Sequence, residues 1–563
     1  MNEEKKSLLS WSTLFGGGRF SERSWKGDLF GGVTTAIISL PLALAFGVAS
    51  GAGPQAGLTG AVLVGLFSAI FGGSRTLISE PTGPMTVVMT AVITTLVAQD
   101  PENGLAMAFC VILVAGLTQV LLGALKLGRY ITLMPYSVIS GFMSGIGILL
   151  ILMQIYPLFG STTPQGGVLA AVQGIPELIR TLSWGEASLG VLSLVILFAM
   201  PAKWKTYCPP HLLALLIGTV VAALFFADGA VKEIGQIPMG LPEFSVPHFS
   251  LGQMKVILLE GLILGLLGSI DTLLTAMIAD SLTRQNHDSD RELIGQGIAN
   301  MVTSFFGGLP GAGATMGTVT NIQVGAKTPW AAIFRATLLL ITILFLAPLL
   351  ESIPLAVLAA IAVKVGMDIL DWSFLTRAHA VSGTAAFIMY GVMGLTVFVD
   401  LVVAVGVGVF IANILTIEKL TQLQSNRVQT VDVTDDEIPL NSEEKKLFEK
   451  GEGKILLFHL SGPMIFGVAK AISAEQEALS RAKALVMDLT DVPILSTTVA
   501  LALENVVKTA GASHVPVFIC TGSEETKKRM ERIKKTAQFE LVIVESRLDA
   551  LEEALKHCET KEA

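Results

Sequence analysis

The hydrophobic positions of this chain come in long unbroken runs rather than in faces. From Leu29 to Ile417, apolar stretches of about 20 residues follow one another. Examples are "MAFCVILVAGLTQVLLGAL" from Met107, "LLALLIGTVVAALFF" from Leu212 and "ATLLLITILFLAPLL" from Ala336. A soluble core of this size would show amphipathic periods instead. The runs predict transmembrane helices over residues 29–417, about 14 of them. The residues before the first run, 1–28, are polar or mixed with no small-residue cleavage site, so no signal peptide is read.

The pattern changes after Ile417. "KLTQLQSNRVQTVDVTDDEIPLNSEEKK" is polar and reads as a linker, placed at 418–453. Beyond it, "KILLFHLSG", "ALVMDLTDV" and "VPVFIC" read as strands, with helices such as "SEETKKRMERIKKTA" between them. Alternating strands and helices predict a small α/β domain over 454–563. The expected fold is thus a polytopic α-helical membrane protein with an appended α/β domain.

Composition agrees: 52% of the 563 residues are hydrophobic and 15% charged. From Asp432 onward there are 23 acidic and 17 basic residues, so half of all 46 acids lie in under a quarter of the length. Lys5, Lys6, Arg19, Arg23 and Lys26 precede the first run, and "KLGRY" follows the fourth. Positive loops face the cytoplasm, so the N-terminus is expected there, and an even number of spans puts the α/β domain there too. The expected location is the plasma (inner) membrane, in contact with lipid. The four cysteines and seven histidines are scattered and suggest neither a disulfide framework nor a zinc site.

Two interrupted segments stand out. "SAIFGGSRTLISEPTGPMTVVMTAV" covers 68–92, and "TSFFGGLPGAGATMGTVTNIQVGA" covers 303–326. Each carries an apolar stretch to Phe-Gly-Gly, then passes through glycine and proline into a threonine-rich apolar segment. Broken helices in corresponding places of two halves are how many secondary transporters build a substrate site. Backbone groups freed at that depth are tolerated only when buried in protein or lining a cavity. Thr82 can cap the first half-helix, with Pro84 in its first turn where a missing N–H costs little. "GAGAT", Gly311 to Thr315, leads into the second. Two helix starts facing one another make an anion site without a basic side chain. The alternative is that the glycines only pack helices closely; two such loops rather than one favour the site.

A third signal is Asp271 in "LILGLLGSIDTLLTAMIADSLT". A lone carboxylate at mid-span costs about 2.5–3.5 kcal/mol, which marks it as functional. Thr275 lies one turn on, on the same face. With carbonyls freed at "GAGAT", these hard oxygens suit a small cation such as Na⁺. The alternative is a packing aspartate bonded to neighbouring backbone. Asp280 and Glu260 read as interfacial, and Lys364 and Asp368 as an i,i+4 pair. With no catalytic triad, phosphate loop or metalloprotease motif, an enzyme is not expected.

At these residues the chain resembles the SulP family of anion transporters. The carrying stretches are "WKGDLFGGVTTAIISLPLALAFGVASGAGPQAGLTG", "FGGSRTLISEPTGPMTVV" and "MPYSVISGFMSGIGILL". The C-terminal segment resembles the STAS module. The resemblance implies 14 spans in two inverted repeats of seven, divided into core and gate domains. It holds the anion between the starts of the third and tenth spans, here Thr82 and Gly83 with Gly313, Ala314 and Thr315. Two departures bear on mechanism. Thr315 stands where many animal members carry an arginine, and Leu42 replaces a usual glutamine. A Na⁺ held by Asp271, Thr275, Gly313 and Thr315 would supply the missing positive charge. In the STAS segment the usual Asp-Ser-x-Gly reads Ser496-Thr497-Thr498-Val499, leaving Thr498 as a possible regulatory phosphosite and a dimerisation role preferred. The expected function is Na⁺-dependent import of an inorganic anion, foremost bicarbonate, by an elevator-type homodimer with no nucleic-acid partner. Sulfate or another anion, or an anion sensor signalling through the STAS segment, are the alternatives.

Overall fold

The computed structural model describes residues 25–560 apart from 132–134, 165–166, 202–208, 228, 238–239, 241–243, 247–250, 400, 426–427, 432–439, 465–467, 475–478, 480–481 and 537–540. The N-terminal segment read from sequence, except its last four residues, and the middle of the linker lie outside the described residues. Contacts divide the chain into two units, Met1–Val409 and Phe410–Ala563.

The first unit is helical and its element order repeats. The first half runs α1 (Trp25–Ser50), α2 (Pro54–Phe71), β1 (Ser79–Glu80), α3 (Gly83–Gln99), α4 (Gly104–Ala124), α5 (Tyr136–Leu158), α6 (Gly167–Arg180), α7 (Trp184–Ala199) and α8 (Pro210–Phe225). The second runs α9 (Met254–Thr283), α10 (Ser289–Ser304), β2 (Ala312–Gly313), α11 (Thr315–Gln323), α12 (Trp330–Leu350), α13 (Leu355–Ile369), α14 (Trp372–Val381), α15 (Gly383–Phe398) and α16 (Leu401–Ser425, ending in the second unit). Helix, helix, two-residue strand, helix: among the described residues both halves open in this order. Among the described residues six helices are long and apolar enough to cross a membrane: α1, α2, α4, α5, α9 and α12. The pair α6 and α7 is bent by 115°.

The halves interlock. Carboxylates at helix ends bind backbone of the other half. Asp28 accepts from Lys327 N (2.8 Å), Thr328 N (3.1 Å) and Thr328 Oγ1 (2.8 Å). Glu292 accepts from Gly73 N (2.7 Å) and Ser74 N (2.6 Å). Such charge-assisted bonds satisfy loop amides that helices would otherwise leave orphaned. Helices α5 and α13 cross at glycines: a Cβ on Gly147 would stand 2.6 Å from Gly366 O, and one on Gly366 2.8 Å from Gly147 O. Small residues of this kind let membrane helices pack backbone to backbone.

The second unit carries a five-stranded sheet in the order β3 (Val428–Val431), β4 (Ile455–Ser461), β5 (Ala484–Asp491), β6 (Val517–Thr521), β7 (Leu541–Val544). Only β3 is antiparallel. The strands read from sequence are β4, β5 and β6. The stretch read as linker differs: it supplies edge strand β3 and α17 (Ser442–Lys450), whose N-cap Asn441 forms a capping box with Glu444. One apolar cluster lies between the sheet and α19 (Thr497–Ala512), following the short α18 (Ala469–Ala474). Another lies under α17 and the C-terminal helix α21 (Arg547–Thr560), which α20 (Glu524–Thr536) precedes. Thr498 is exposed in the first turn of α19, where Ser496 accepts from Val499 N (3.4 Å).

Across β4, β5 and β6, His459, Asp488 and Cys520 stand in register. Asp488 is fully buried and bonds His459 Nδ1 (2.8 Å), Thr490 Oγ1 (2.6 Å) and Arg547 Nη1 (3.1 Å). Arg547 also bonds Glu444 (2.9 Å), tying α17 to α21. Burial alone would raise the Asp488 carboxyl; the bonds from His459 and Thr490 outweigh it and hold it well below its ordinary 3.8. Burial, and then the Asp488 charge, push the Cys520 thiol up, so it stays protonated. A depressed carboxylate stabilises the fold above its unfolded pKa and loses that contribution as pH falls. Hydrogen exchange of β5 amides in the full chain, corrected for intrinsic rates, should therefore lose protection below about pH 4. Asp488→Asn should start less protected and respond less to acid.

Candidate functional site

The two interrupted loops meet. β1 and β2 pair antiparallel, Ser79 opposite Gly313 and Glu80 opposite Ala312. Ala314 N donates to Ile78 O (2.7 Å), and Thr318 Oγ1 receives Ile78 N (3.0 Å). This two-residue ladder satisfies backbone that no lipid could. From it α3 and α11 begin. The first helical bond of α3 is Thr86 N to Thr82 O (2.9 Å), and that of α11 is Thr318 N to Ala314 O (2.9 Å). The amides of Gly83 and Met85, and of Thr315, Met316 and Gly317, precede those bonds and have no acceptor within their helices. The amides of Gly313 and Ala314 are used by the protein: Gly313 N donates to Thr272 Oγ1 (3.1 Å) and Ala314 N to Ile78 O. On the second half the open amides are thus at 315–317, and Thr315 and Met316 are exposed.

Thr82 corrects one expectation. It holds the N-cap position of α3, but its hydroxyl makes no cap bond; it donates to Asp271 Oδ2 (2.8 Å). The side chain is turned to give its proton to the carboxylate, and in that orientation Oγ1 receives no amide of α3. Asp271, buried in α9, is thereby linked to the start of α3. One turn on, Thr275 Oγ1 lies 2.9 Å from Gly313 O and 3.0 Å from Thr315 Oγ1. Asp271 and Thr275 of α9, Gly313 of β2 and Thr315 of α11 thus supply oxygens from three elements around one junction. Asp271 also lines a small cleft with Leu267 and Ile270, closed on the far side by Val138, Ile139, Phe142 and Met143 of α5. Above α3, a Cβ on Gly83 would stand 2.5 Å from Ile369 Cδ1. A side chain there would have to displace the tip of Ile369 on α13.

Behind each loop sits a clamp that sequence reading missed. Arg335 of α12 is fully buried. It donates to Glu80 Oε2 (2.7 Å), Ser39 Oγ (3.1 Å), Ala61 O (2.7 Å) and Ser79 O (3.0 Å). On the other side Asn300 bonds both Gly311 N (2.8 Å) and Gly311 O (3.0 Å), and donates to Gln119 Oε1 (2.8 Å). Gln296 adds a bond to Gly311 O (2.8 Å). An ion pair holds one loop and amides hold the other. Elsewhere, Asp280 bonds His287 Nδ1 (2.7 Å), and Lys364 pairs with Asp368.

Residues 25–392 match the sulfate permease family and residues 449–558 the STAS domain. The bicarbonate transporter BicA of Picosynechococcus is 53% identical over 539 residues, 95% of each chain. The solved transmembrane domain of a cyanobacterium bicarbonate transporter BicA is 55% identical with a TM-score of 0.65, covering 68% of this chain and 98% of that one. The murine Solute Carrier 26 family member A9 anion transporter, solved in the inward-facing state, is 18% identical with a TM-score of 0.83, over 98% of this chain and 96% of that one, a likeness of fold.

Proposed function

The chain belongs to the sulfate permease family, and from that membership and the loop junction we propose that it imports bicarbonate coupled to Na⁺. The carrying observation is the junction where Asp271 accepts from Thr82, and Thr275 one turn on meets Gly313 O and Thr315 Oγ1, beside the open amides of α3 and α11. The amides and helix dipoles favour an anion. The oxygens favour a hard cation next to it. The choice of bicarbonate leans on the 53%-identical relative that bears that name. In this reading Na⁺ takes the place of a fixed positive side chain. It also removes an energetic obstacle: a lone monovalent anion entering against an inside-negative potential costs about 2.3 kcal/mol per 100 mV, and one-to-one pairing with Na⁺ cancels it.

The transport step is movement of the β1–β2 junction with its helices, as one body, past α5 and α13. The apolar cleft between Asp271 and α5 suits such sliding, since no polar bond crosses it in the lining described. The N-terminus and the STAS domain are assigned to the cytoplasm, with the STAS domain as a homodimer contact. Uptake of labelled bicarbonate and sulfate into proteoliposomes, with and without a Na⁺ gradient, tests the reading. Bicarbonate uptake should rise at least about tenfold with the gradient and exceed sulfate uptake. Binding without turnover would make the protein a sensor; uptake indifferent to Na⁺ would remove the coupling.

A further inference from the structure

Helix α6 divides its circumference three ways. At 100° per residue, Ala171, Gly174, Ile175 and Leu178 fall on one side. Ala171 and Leu178 are buried there against Tyr156 of α5, whose hydroxyl donates to Ala171 O. Gln173, Glu177 and Arg180 share a second, exposed side. Leu169, Val172, Pro176 and Ile179 share a third, within about 80° of arc. That third side is apolar yet open: Leu169 is 62% exposed, Val172 40% and Ile179 69%. The Tyr156 bond and the buried pair fix the helix's rotation, so this stripe cannot turn inward.

We infer that α6 lies in the membrane–water interface with the Leu169–Val172–Ile179 stripe seated on lipid acyl chains. Three features name that occupant. Helix α6 follows α5, whose 23 residues are long and apolar enough to cross the membrane, so it begins at a membrane face. It then turns by 115° into α7, an apolar helix of 16 residues, so the two cannot both run along the membrane normal. An apolar surface follows it in the chain: exposed Val191, Val195 and Phe198 run down α7, and Trp184, 83% exposed, stands at the bend. Tryptophan concentrates at this depth because its ring is amphipathic. The polar side carries Glu177 and Arg180, which reach water while the stripe faces hydrocarbon.

This deepens the transport reading and rests on it in one respect: a helix floating at the interface holds α5 and α7 at fixed depth. The α5 side then stays still while the β1–β2 junction moves. The test reads lipid contact, not uptake, so either idea can fail alone. Single cysteines at Val172→Cys, Ile179→Cys, Gln173→Cys and Glu177→Cys are placed in a full-length background lacking native cysteines and retaining its helical spectrum. Each is labelled with NBD and reconstituted in phosphatidylcholine vesicles with and without dibrominated acyl chains. Labels at 172 and 179 should be quenched at least threefold more than those at 173 and 177, at every protein-to-lipid ratio. Equal quenching at the four positions overturns the inference. So does quenching at 172 and 179 that disappears as protein density rises, because a second copy would then be the occupant.

Discussion

Replacing Asp271 by asparagine should abolish Na⁺-stimulated uptake while leaving a folded protein in the membrane. The side chain keeps its size and an oxygen to accept the Thr82 hydroxyl, now 2.8 Å away. It loses the charge that the cation needs. A drop of at least about 100-fold is expected, equivalent to roughly 2.7 kcal/mol. The measurement is initial uptake rate against Na⁺ concentration in proteoliposomes, with protein amount and helical spectrum matched. A variant whose rate still climbs with Na⁺ as in the unmodified protein would take Asp271 out of the cation site. The Thr82 link adds a second expectation: Thr82→Val should weaken Na⁺ dependence less, since it removes a hydrogen bond and no charge.

Arg335→Met should be the most destabilising single change in the membrane unit. It leaves Glu80 buried and unpaired, and frees Ser79 O and Ala61 O as well. Breaking one side of a buried pair costs about 3–5 kcal/mol. The variant should therefore accumulate poorly and melt early in detergent. The double variant Glu80→Gln/Arg335→Met removes the stranded charge and should recover a large part of that loss. If the single and double variants melt alike, the carboxylate is not what the guanidinium is needed for. Any folded double variant should still bind anion more weakly, because β1 would no longer be held from behind.

Much of this was legible in the residues alone, for a physical reason. Glycine and proline at membrane depth have few uses, so the loops at 68–92 and 303–326 announce themselves, and an aspartate amid leucines does too. The structure brings those three places to one junction through Thr82–Asp271 and Thr275–Gly313. The clamps were not legible. Arg335 sits near the start of an apolar run, where a basic residue normally reaches for the headgroups, and its partner lies 255 positions earlier. Gln119 and Asn300 carry no charge and so leave little trace in hydropathy. Nor was it legible that Thr82 makes no cap, because local rules see a hydroxyl beside a helix start but not the carboxylate, 189 positions on, toward which it is turned. Strand β3 escaped because four residues at a sheet edge, in a polar stretch, carry no clear alternation.

The cross-half clamps set an order of events at the ribosome. Glu80 is made 255 residues before Arg335, and β1 more than 230 before its strand partner at Ala312–Gly313. At about 5–20 residues per second, tens of seconds or less separate them. For that interval a carboxylate and a two-residue strand with open backbone must wait without partners. Neither half can complete its loop by itself, so a chain halted after α8 should remain beside the insertion machinery or be degraded, and assembly of the site should coincide with synthesis of α12.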